Sequence, residues 1–242
     1  MFFLLDFDSN IDVILFIIQM IGCISFATSG AITALRKKVD ILGVWILTLI
    51  GIFGGGLLRD LIINNGPPHI FWDSQYLILA LGAIIISTIW FFIAYYKKTV
   101  LIIDIHRHDL WIYVIDALGT AIFCIYGVKE AYNAIPVDAS LIEKYVFVIS
   151  LGVISGVGGR MFRDVFIGEI PIIFKKHFYI TPSIIGSTIY AILYSLNVND
   201  IFSICISIGS VVVLRSLASI YRWNLPSAKA YNMLLDEKEK KI

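Results

Sequence analysis

Charged residues are scarce in this chain of 242 residues. They make up 15% of the sequence, whereas hydrophobic residues make up 59% and the mean hydropathy is +0.87. A soluble domain of this length could not bury so much apolar surface, so the lipid bilayer is the expected solvent. The net charge is only +1, and the sequence has no basic surface of the kind that binds nucleic acid.

Motifs that would support catalysis or metal binding are also missing. The three cysteines, Cys23, Cys124 and Cys205, lie within apolar segments, where a free thiol behaves as a small hydrophobic group, so we predict no disulfide. There is no catalytic triad, phosphate-binding loop or CxxC pair. His106 and His108 are best explained as solvated loop residues, so no metal site is predicted. We therefore expect neither enzyme activity nor a cofactor.

Long apolar runs dominate what is present. The first ten residues contain no Lys or Arg, unlike a cleaved signal peptide, so the first run should remain as a membrane helix. A spanning helix needs roughly 20 mostly apolar residues. Seven segments meet this requirement, namely 11–35, 41–63, 76–96, 110–133, 145–167, 179–197 and 201–221. We predict an all-α membrane protein with seven transmembrane helices.

Basic residues are concentrated on one side of this predicted topology. The opposite side holds only Lys144 as a basic residue. By the positive-inside rule, the amino terminus should face outward and the carboxy terminus the cytoplasm. The side reached after odd-numbered spans holds thirteen basic residues: Arg36, Lys37, Lys38, Lys97, Lys98, Arg107, Lys175, Lys176, Arg222, Lys229, Lys238, Lys240 and Lys241.

The chain repeats itself. At an offset of 97 residues, Gly22, Phe26, Gly30 and Ala34 match Gly119, Phe123, Gly127 and Ala131. At an offset of 104, Gly54, Gly55, Arg59, Asp60 and Pro67 match Gly158, Gly159, Arg163, Asp164 and Pro171. A unit of three helices is odd, so its second copy enters the membrane from the other side, as an inverted repeat. We predict repeats over 1–98 and 99–198, a seventh helix over 199–223 and a cytoplasmic tail over 224–242.

Two glycine motifs lie within the second and fifth spans. One is Gly54-Gly55-Gly56-Leu57-Leu58-Arg59-Asp60, and the other is Gly158-Gly159-Arg160-Met161-Phe162-Arg163-Asp164. Consecutive glycines indicate one of two structures. Either the helix is interrupted and its free backbone carbonyl and amide groups line a hydrated path, or two helices pack closely at the glycines. Adjacent Arg and Asp point about 100° apart on a helix. We therefore predict pairing across the repeats, of Arg59 with Asp164 and of Arg163 with Asp60, as a brace or as a pore lining.

Five further charged residues interrupt the apolar spans. Lys129 and Glu130 either extend to the outer interface or form an outer vestibule in which the lysine acts as a gate. Arg215 in the seventh span has the same two interpretations. Asp116 lies about two turns into the fourth span, and Arg160 occupies the position of Gly56 in the second copy of the motif.

The sequence resembles the prokaryotic branch of the trimeric intracellular cation (TRIC) channel family, whose members are sometimes described as glycine transporters. The resemblance lies in the doubled Gly-Gly-x-x-x-Arg-Asp element, the proline that follows each copy, and Asp116-Ala117-Leu118-Gly119. The resemblance implies a homotrimer of seven-helix protomers, each with an hourglass pore that conducts potassium and other monovalent cations. Helices two and five would be kinked at the motifs and line that pore. Lys129-Glu130 resembles the start of a Lys-Glu-Val element of animal members, with Ala131 in place of valine, and Arg160 departs from the usual third glycine.

Three classes of function stay open at this point. A channel needs a continuous wet path with weak sites, and a secondary carrier for a small amino acid such as glycine needs a closed pocket. A structural oligomer that binds lipid would transport nothing. The sequence has no TVGYG-like filter, so strong potassium selectivity is not expected. The expected partners are other copies of the chain and membrane lipids, with bound lipid and potassium or sodium as the ligands.

Overall fold

The computed structural model describes residues 10–64, 66–71, 73–97, 109–136, 138–175, 178–221 and 223. The predicted tail over 224–242 and the residues His106 and His108 lie outside these ranges. The helices are α1 (Asn10–Arg36), α2 (Ile41–Ile63), α3 (Ser74–Lys97), α4 (Asp109–Ala134), α5 (Leu141–Phe166), the single-turn α6 (Ile172–Lys175), α7 (Thr181–Ser195) and α8 (Asp200–Ile220). A 3₁₀ turn, His69–Phe71, follows α2.

The predicted fold class is confirmed, because the described residues form helices and no strand. Five described helices, α1, α2, α3, α5 and α8, are long and apolar enough to cross a membrane. The other two predicted spans correspond to α4 and α7. Helix α4 has 26 residues, and α7 has only 15.

Local signals set several helix ends. Asp40 caps α2 by accepting a hydrogen bond from the backbone N–H of Gly43 at 2.7 Å. Ser140 and Glu143 form a capping box that begins α5, and Pro182 occupies the first turn of α7, where a missing N–H costs nothing. Asn64 ends α2 in the left-handed conformation, with φ of 52°, which asparagine tolerates well.

The helices pack as two equivalent groups of three. Helices α1, α2 and α3 contact one another, and so do α4, α5 and α7. The groups meet where α2 packs on α5 and α1 on α4, while α8 packs on α4 and α7. This is the arrangement expected for two three-helix repeats with one additional helix.

Reciprocal contacts place a pseudo-twofold axis at the crossing of α2 and α5. A Cβ on Gly54 would lie 3.1 Å from the Cα of Gly159, and one on Gly158 would lie 3.3 Å from the Cα of Gly55. The offset of 104 residues interchanges these two contacts. Phe26 and Phe123, equivalent at an offset of 97, stack with centroids 5.3 Å apart. Gly55 lies against the carbonyl group of Ser155, and Gly51 lies against Gly159, so residue numbers rise along α2 as they fall along α5. The two helices therefore run antiparallel, which makes the repeats inverted.

Candidate functional site

The glycine motifs form the closest approach of the two repeats. A Cβ on Gly55 would overlap the carbonyl oxygen of Ser155, and one on Gly159 would overlap that of Gly51. Both helices stay α-helical through their glycines, which favours close helix packing over an interruption. The glycines instead let two backbones pack together, a contact that offsets their low helix propensity. Gly56 differs, since the nearest atom to its Cβ would be 4.0 Å away.

The first Arg-Asp pair lies at the carboxyl end of α2. Arg59 is 2% exposed, and it donates hydrogen bonds from Nε and Nη2 to Oδ1 of Asp60 at 2.8 and 2.6 Å. The backbone N–H of His69 donates to Oδ2 of Asp60 at 3.0 Å. The Arg59 guanidinium also lies over the ring of Tyr126, 5.2 Å from its centroid. We refer to Arg59, Asp60, His69 and Tyr126 as the Arg59 cluster.

The predicted pairing across the repeats is therefore wrong. Arg59 pairs with its own neighbour, and in the second motif Nε of Arg163 lies 3.8 Å from Oδ1 of Asp164. The angle between adjacent Cβ directions is the wrong criterion for arginine, because its long side chain can fold back along the helix to a neighbouring carboxylate. Since α2 and α5 are antiparallel, the two motifs end at opposite ends of the crossing.

Asp116 is the centre of a second buried cluster. Its carboxylate, 1% exposed, forms a salt bridge with Arg160 and accepts a hydrogen bond from Nη2 of Arg215 at 3.3 Å. The Tyr179 hydroxyl donates to Oδ2 at 3.0 Å, and the Ser29 hydroxyl donates to Oδ1 at 3.3 Å. These five residues, the Asp116 cluster, join α1, α4, α5 and α8 to the segment before α7.

The Asp116 cluster decides how Arg215 is oriented. Its guanidinium carbon lies 3.8 Å from the centroid of the Tyr179 ring, and that of Arg160 lies 5.3 Å from the same centroid. Arg215 thus faces the bundle interior instead of extending to the membrane interface. Asp116, Arg160 and Arg215 are separate candidate residues in the sequence, whereas Tyr179 and Ser29 were not predicted to take part.

The repeat alignment contained a signal that these charges meet. At the two offsets, Asp116 corresponds to Gln19 and Arg160 to Gly56. The second repeat therefore gains an acid and a base together, at positions where the first repeat has neither. Two opposite charges that appear together in one copy of a duplicated unit indicate a buried pair.

A pocket of about 230 Å³ opens beside the Arg59 cluster. Glu130 lines it together with Asp60, so this glutamate faces the pocket. Lys129 instead places its Nζ 3.8 Å from Oδ2 of Asp200, at the start of α8. The other lining residues are Ile63, Gly66, Pro67, His69, Asn133 and Ala134.

Comparisons with a family model, with related sequences and with solved structures agree on the family of this chain. The family model described as "Glycine transporter" matches residues 16–92 and 113–195. The inner membrane protein YadS of Escherichia coli (strain K12), from the group named UPF0126, is 32% identical over 91% of this chain and 96% of its own length. The UPF0126 membrane protein YvgT of Bacillus subtilis (strain 168) is 30% identical over 87% of this chain and 95% of its own length.

Solved structures of TRIC channels share the fold. One, from work on conductance through TRIC cation channels, is 30% identical with a TM-score of 0.72, and covers 87% of this chain and 95% of the other. The TRIC orthologue from Rhodobacter sphaeroides is 22% identical, and its structure aligns with a TM-score of 0.73 over 87% of this chain and 100% of its own. At this identity the likeness supports the fold alone. These neighbours are channels, in agreement with the prediction that the chain is not an enzyme. The chain is a multi-span membrane protein and belongs to the prokaryotic TRIC family, whose family model bears the older description of glycine transporter.

Proposed function

We propose that the chain is a potassium-permeable channel for monovalent cations, with one pathway in each protomer along α2 and α5. The observation that carries this proposal is the position of the two buried charged clusters. They lie at opposite ends of a crossing between helices that span the membrane. Charges within a membrane segment are costly unless they are paired or face water, and they commonly mark an ion path.

The pocket beside the Arg59 cluster supplies an entrance suited to cations. Asp60 and Glu130 both line it, and Arg59 neutralises only the first of these carboxylates. A concave site that carries excess negative charge raises the local concentration of cations. Solved relatives of similar fold are described as cation channels, which supports the same choice of charge. Potassium and sodium would be the permeant ions, and no cofactor is needed.

The crossing itself would be the gate. A cavity of about 10 Å³, room for about one water molecule, lies between the Arg59 cluster and Phe123. Beyond it, Phe26 stacks on Phe123, and backbone contacts between the glycines hold α2 against α5. An apolar constriction of this width excludes a hydrated ion. Conduction would require α2 and α5 to separate at their glycines, where the TRIC resemblance implies kinks.

The membrane orientation follows from charge. We propose that the amino terminus faces outward and the carboxy terminus faces the cytoplasm, which places the Arg59 cluster outside and the Asp116 cluster inside. Lys37 and Glu169 form a salt bridge between the segments that follow α1 and α5, two connections assigned to the same side. The family resemblance supports a homotrimer in the plasma membrane of a prokaryote, in contact with lipids.

The test is ion flux from purified protein reconstituted in liposomes. We expect rapid potassium efflux that responds to voltage, and no efflux from liposomes without protein. Saturable glycine uptake coupled to an ion gradient, without potassium efflux, would replace the channel with a carrier. Absence of both, from protein that is folded and oligomeric, would leave only a structural role and refute the proposal.

A further inference from the structure

A histidine shares the pocket of about 230 Å³ with two carboxylates. His69 lines this pocket together with Asp60 and Glu130. It begins the 3₁₀ turn His69–Phe71 and is exposed. Imidazole is the side chain whose charge ordinarily changes between about pH 5 and 8, whereas carboxyl groups ordinarily titrate at about pH 4. A change of pH near neutrality therefore acts on the charge of this pocket through the histidine.

The backbone of His69 is held on both sides. Its N–H donates to Oδ2 of Asp60 at 3.0 Å, and its carbonyl oxygen accepts from the N–H of Asp73 at 2.9 Å. The next residue, Ile70, packs against a buried core cluster that includes Phe53. Since both backbone groups have partners within the protein, the exposed part of His69 is its imidazole, and the turn keeps this ring at the pocket.

The charges around the pocket leave one carboxylate without a counter-charge. Arg59 donates two hydrogen bonds to Asp60, so these two charges cancel. Lys129 is directed away from its neighbour Glu130, with its Nζ 3.8 Å from Oδ2 of Asp200. In the described part of the chain, no salt bridge reaches Glu130. The pocket thus carries one net negative charge when His69 is neutral and no net charge when it is protonated.

The other ionisable groups near His69 belong to types that do not ordinarily titrate between about pH 5.5 and 7.5. The turn packs on α2 and α3, and α4 supplies the far side of the pocket. Asp73 neighbours the turn but does not line the pocket. The groups are Arg59 and Asp60 on α2, Asp73 just before α3, Tyr76 on α3, and Tyr126, Lys129 and Glu130 on α4.

The second repeat lacks this histidine. At an offset of 103, which pairs Ile70 with Ile173, His69 corresponds to Ile172. An aliphatic side chain carries no charge at any pH. A titratable residue at this position is therefore specific to the Arg59 end of the crossing.

We propose that His69 is a proton sensor that sets the charge of the outer pocket and weakens its attraction for cations at acidic pH. With neutral imidazole, the negative charge of the pocket raises the local concentration of cations, and the imidazolium form cancels that charge. The consequence for transport rests on the proposed channel, in which potassium flux should fall as the outer pH is lowered. The change in the potential of the pocket does not depend on conduction.

The first experiment measures the potential of the pocket directly. Asn133 is exposed and lines the pocket, so Asn133→Cys places a reactive thiol there. The accompanying change Cys205→Ser removes the exposed native thiol, since Cys23 and Cys124 are buried. Modification rates are measured with a cationic and a neutral methanethiosulfonate reagent of similar size, at about pH 7.5 and 5.5. The ratio of the two rates cancels the pH dependence of the thiol itself.

We expect the ratio of cationic to neutral rates to fall roughly twofold to tenfold at the lower pH, since one unit of negative charge is lost. The effect should shrink at high salt. Ion flux through liposomes that contain the chain is then measured at the same two pH values. Potassium flux should fall by a similar factor.

Three variants assign the effect to this histidine. His69→Gln keeps the backbone N–H that binds Asp60 and removes the titratable ring, so its rate ratio should be equal at the two pH values. His69→Lys has a permanent charge and should show the low ratio at both. The matched control His177→Gln, in the connection assigned to the opposite side of the membrane, should retain the pH effect.

The outcomes separate the sensor from the channel. A rate ratio that falls at acidic pH while no flux is seen at either pH would support the sensor and refute the channel. A rate ratio that does not change with pH, that falls equally in His69→Gln, or that stops changing in His177→Gln would overturn the proposal. Flux that is the same at both pH values, while the rate ratio falls, would refute the role of His69 in transport.

Discussion

Removal of the Asp116 charge should destabilise the protein more than any other single charge change within the bundle. The substitution Asp116→Asn keeps the shape and leaves Arg160 and Arg215 buried without a counter-charge. Oδ2 of this carboxylate accepts hydrogen bonds from Tyr179 and Arg215 and forms a salt bridge with Arg160, and Asp116 is only 1% exposed. Loss of one partner of a buried ion pair typically costs about 3–5 kcal/mol, mostly as desolvation of the charge left behind. We expect a loss of this size in the unfolding free energy.

The assay is unfolding of purified protein in mixed micelles, analysed as a double-mutant cycle with Arg160→Met. Methionine fills much of the arginine volume without charge, and the first repeat has Gly56 and Gln19 at the two equivalent positions, so an uncharged pair is compatible with the fold. The double variant should therefore be more stable than Asp116→Asn alone, with a coupling energy above about 1 kcal/mol. Additive effects, or a cost below about 0.5 kcal/mol for Asp116→Asn, would refute the reasoning.

The remaining predictions concern the crossing, the vestibule and the surface. Gly55→Ala places a methyl group against the Ser155 carbonyl and should lower the unfolding free energy by about 1–3 kcal/mol. The control is Gly82→Ala, whose Cβ meets no described atom within 4 Å and which should change this free energy by less than about 1 kcal/mol. Equal effects of the two variants would contradict the packing role of Gly55. Glu130→Gln should lower potassium flux in liposomes roughly twofold to tenfold at low ionic strength and less at high salt. The control Asp138→Asn, on an exposed turn, should leave the flux unchanged. A loss of flux that does not depend on salt would contradict the electrostatic explanation. Glu169→Gln breaks the salt bridge with Lys37, in which the Glu169 side chain is 42% exposed and the Lys37 side chain 40%. The change in unfolding free energy should be at most about 1 kcal/mol. A loss as large as that of Asp116→Asn would show that exposure does not predict the stability contribution of a charge pair in this protein.

Features encoded locally could be predicted from the sequence. Apolar runs, Pro67 and the capping residues Asp40 and Ser140 depend on neighbours along the chain, so the helices lie close to the predicted spans. The repeat was also recoverable, because matched glycines keep constant offsets whatever their role. The glycines themselves had two interpretations, and the choice between them depended on how closely α5 approaches α2, a distance that no local pattern contains.

Side-chain partners were harder to predict for a different reason. Arg59 pairs with Asp60 because a long flexible group reaches its neighbour, although the helix angle alone argued against that contact. The Asp116 cluster needs Ser29, Arg160 and Arg215 from three other helices, and its geometry exists only once all four have packed. The boundaries of the repeat units at 98 and 198 stay predictions, as do the gating role of Lys129 and trimer formation.

The two repeats show how one backbone arrangement comes to have unlike ends. Symmetry makes the crossing of α2 and α5 the same from either side, so any difference must come from substitutions. At one end, Gly56 leaves free space and Asp60 faces a pocket of about 230 Å³. At the other end, the equivalent position is Arg160, and it ties α5 to Asp116 on α4. Because Arg215 brings α8 to the same carboxylate, movement of α5 at that end must either carry α4 and α8 with it or break the Asp116 cluster. The Arg59 end has no such tie to α8 among the described residues, so we expect it to open at lower free-energy cost.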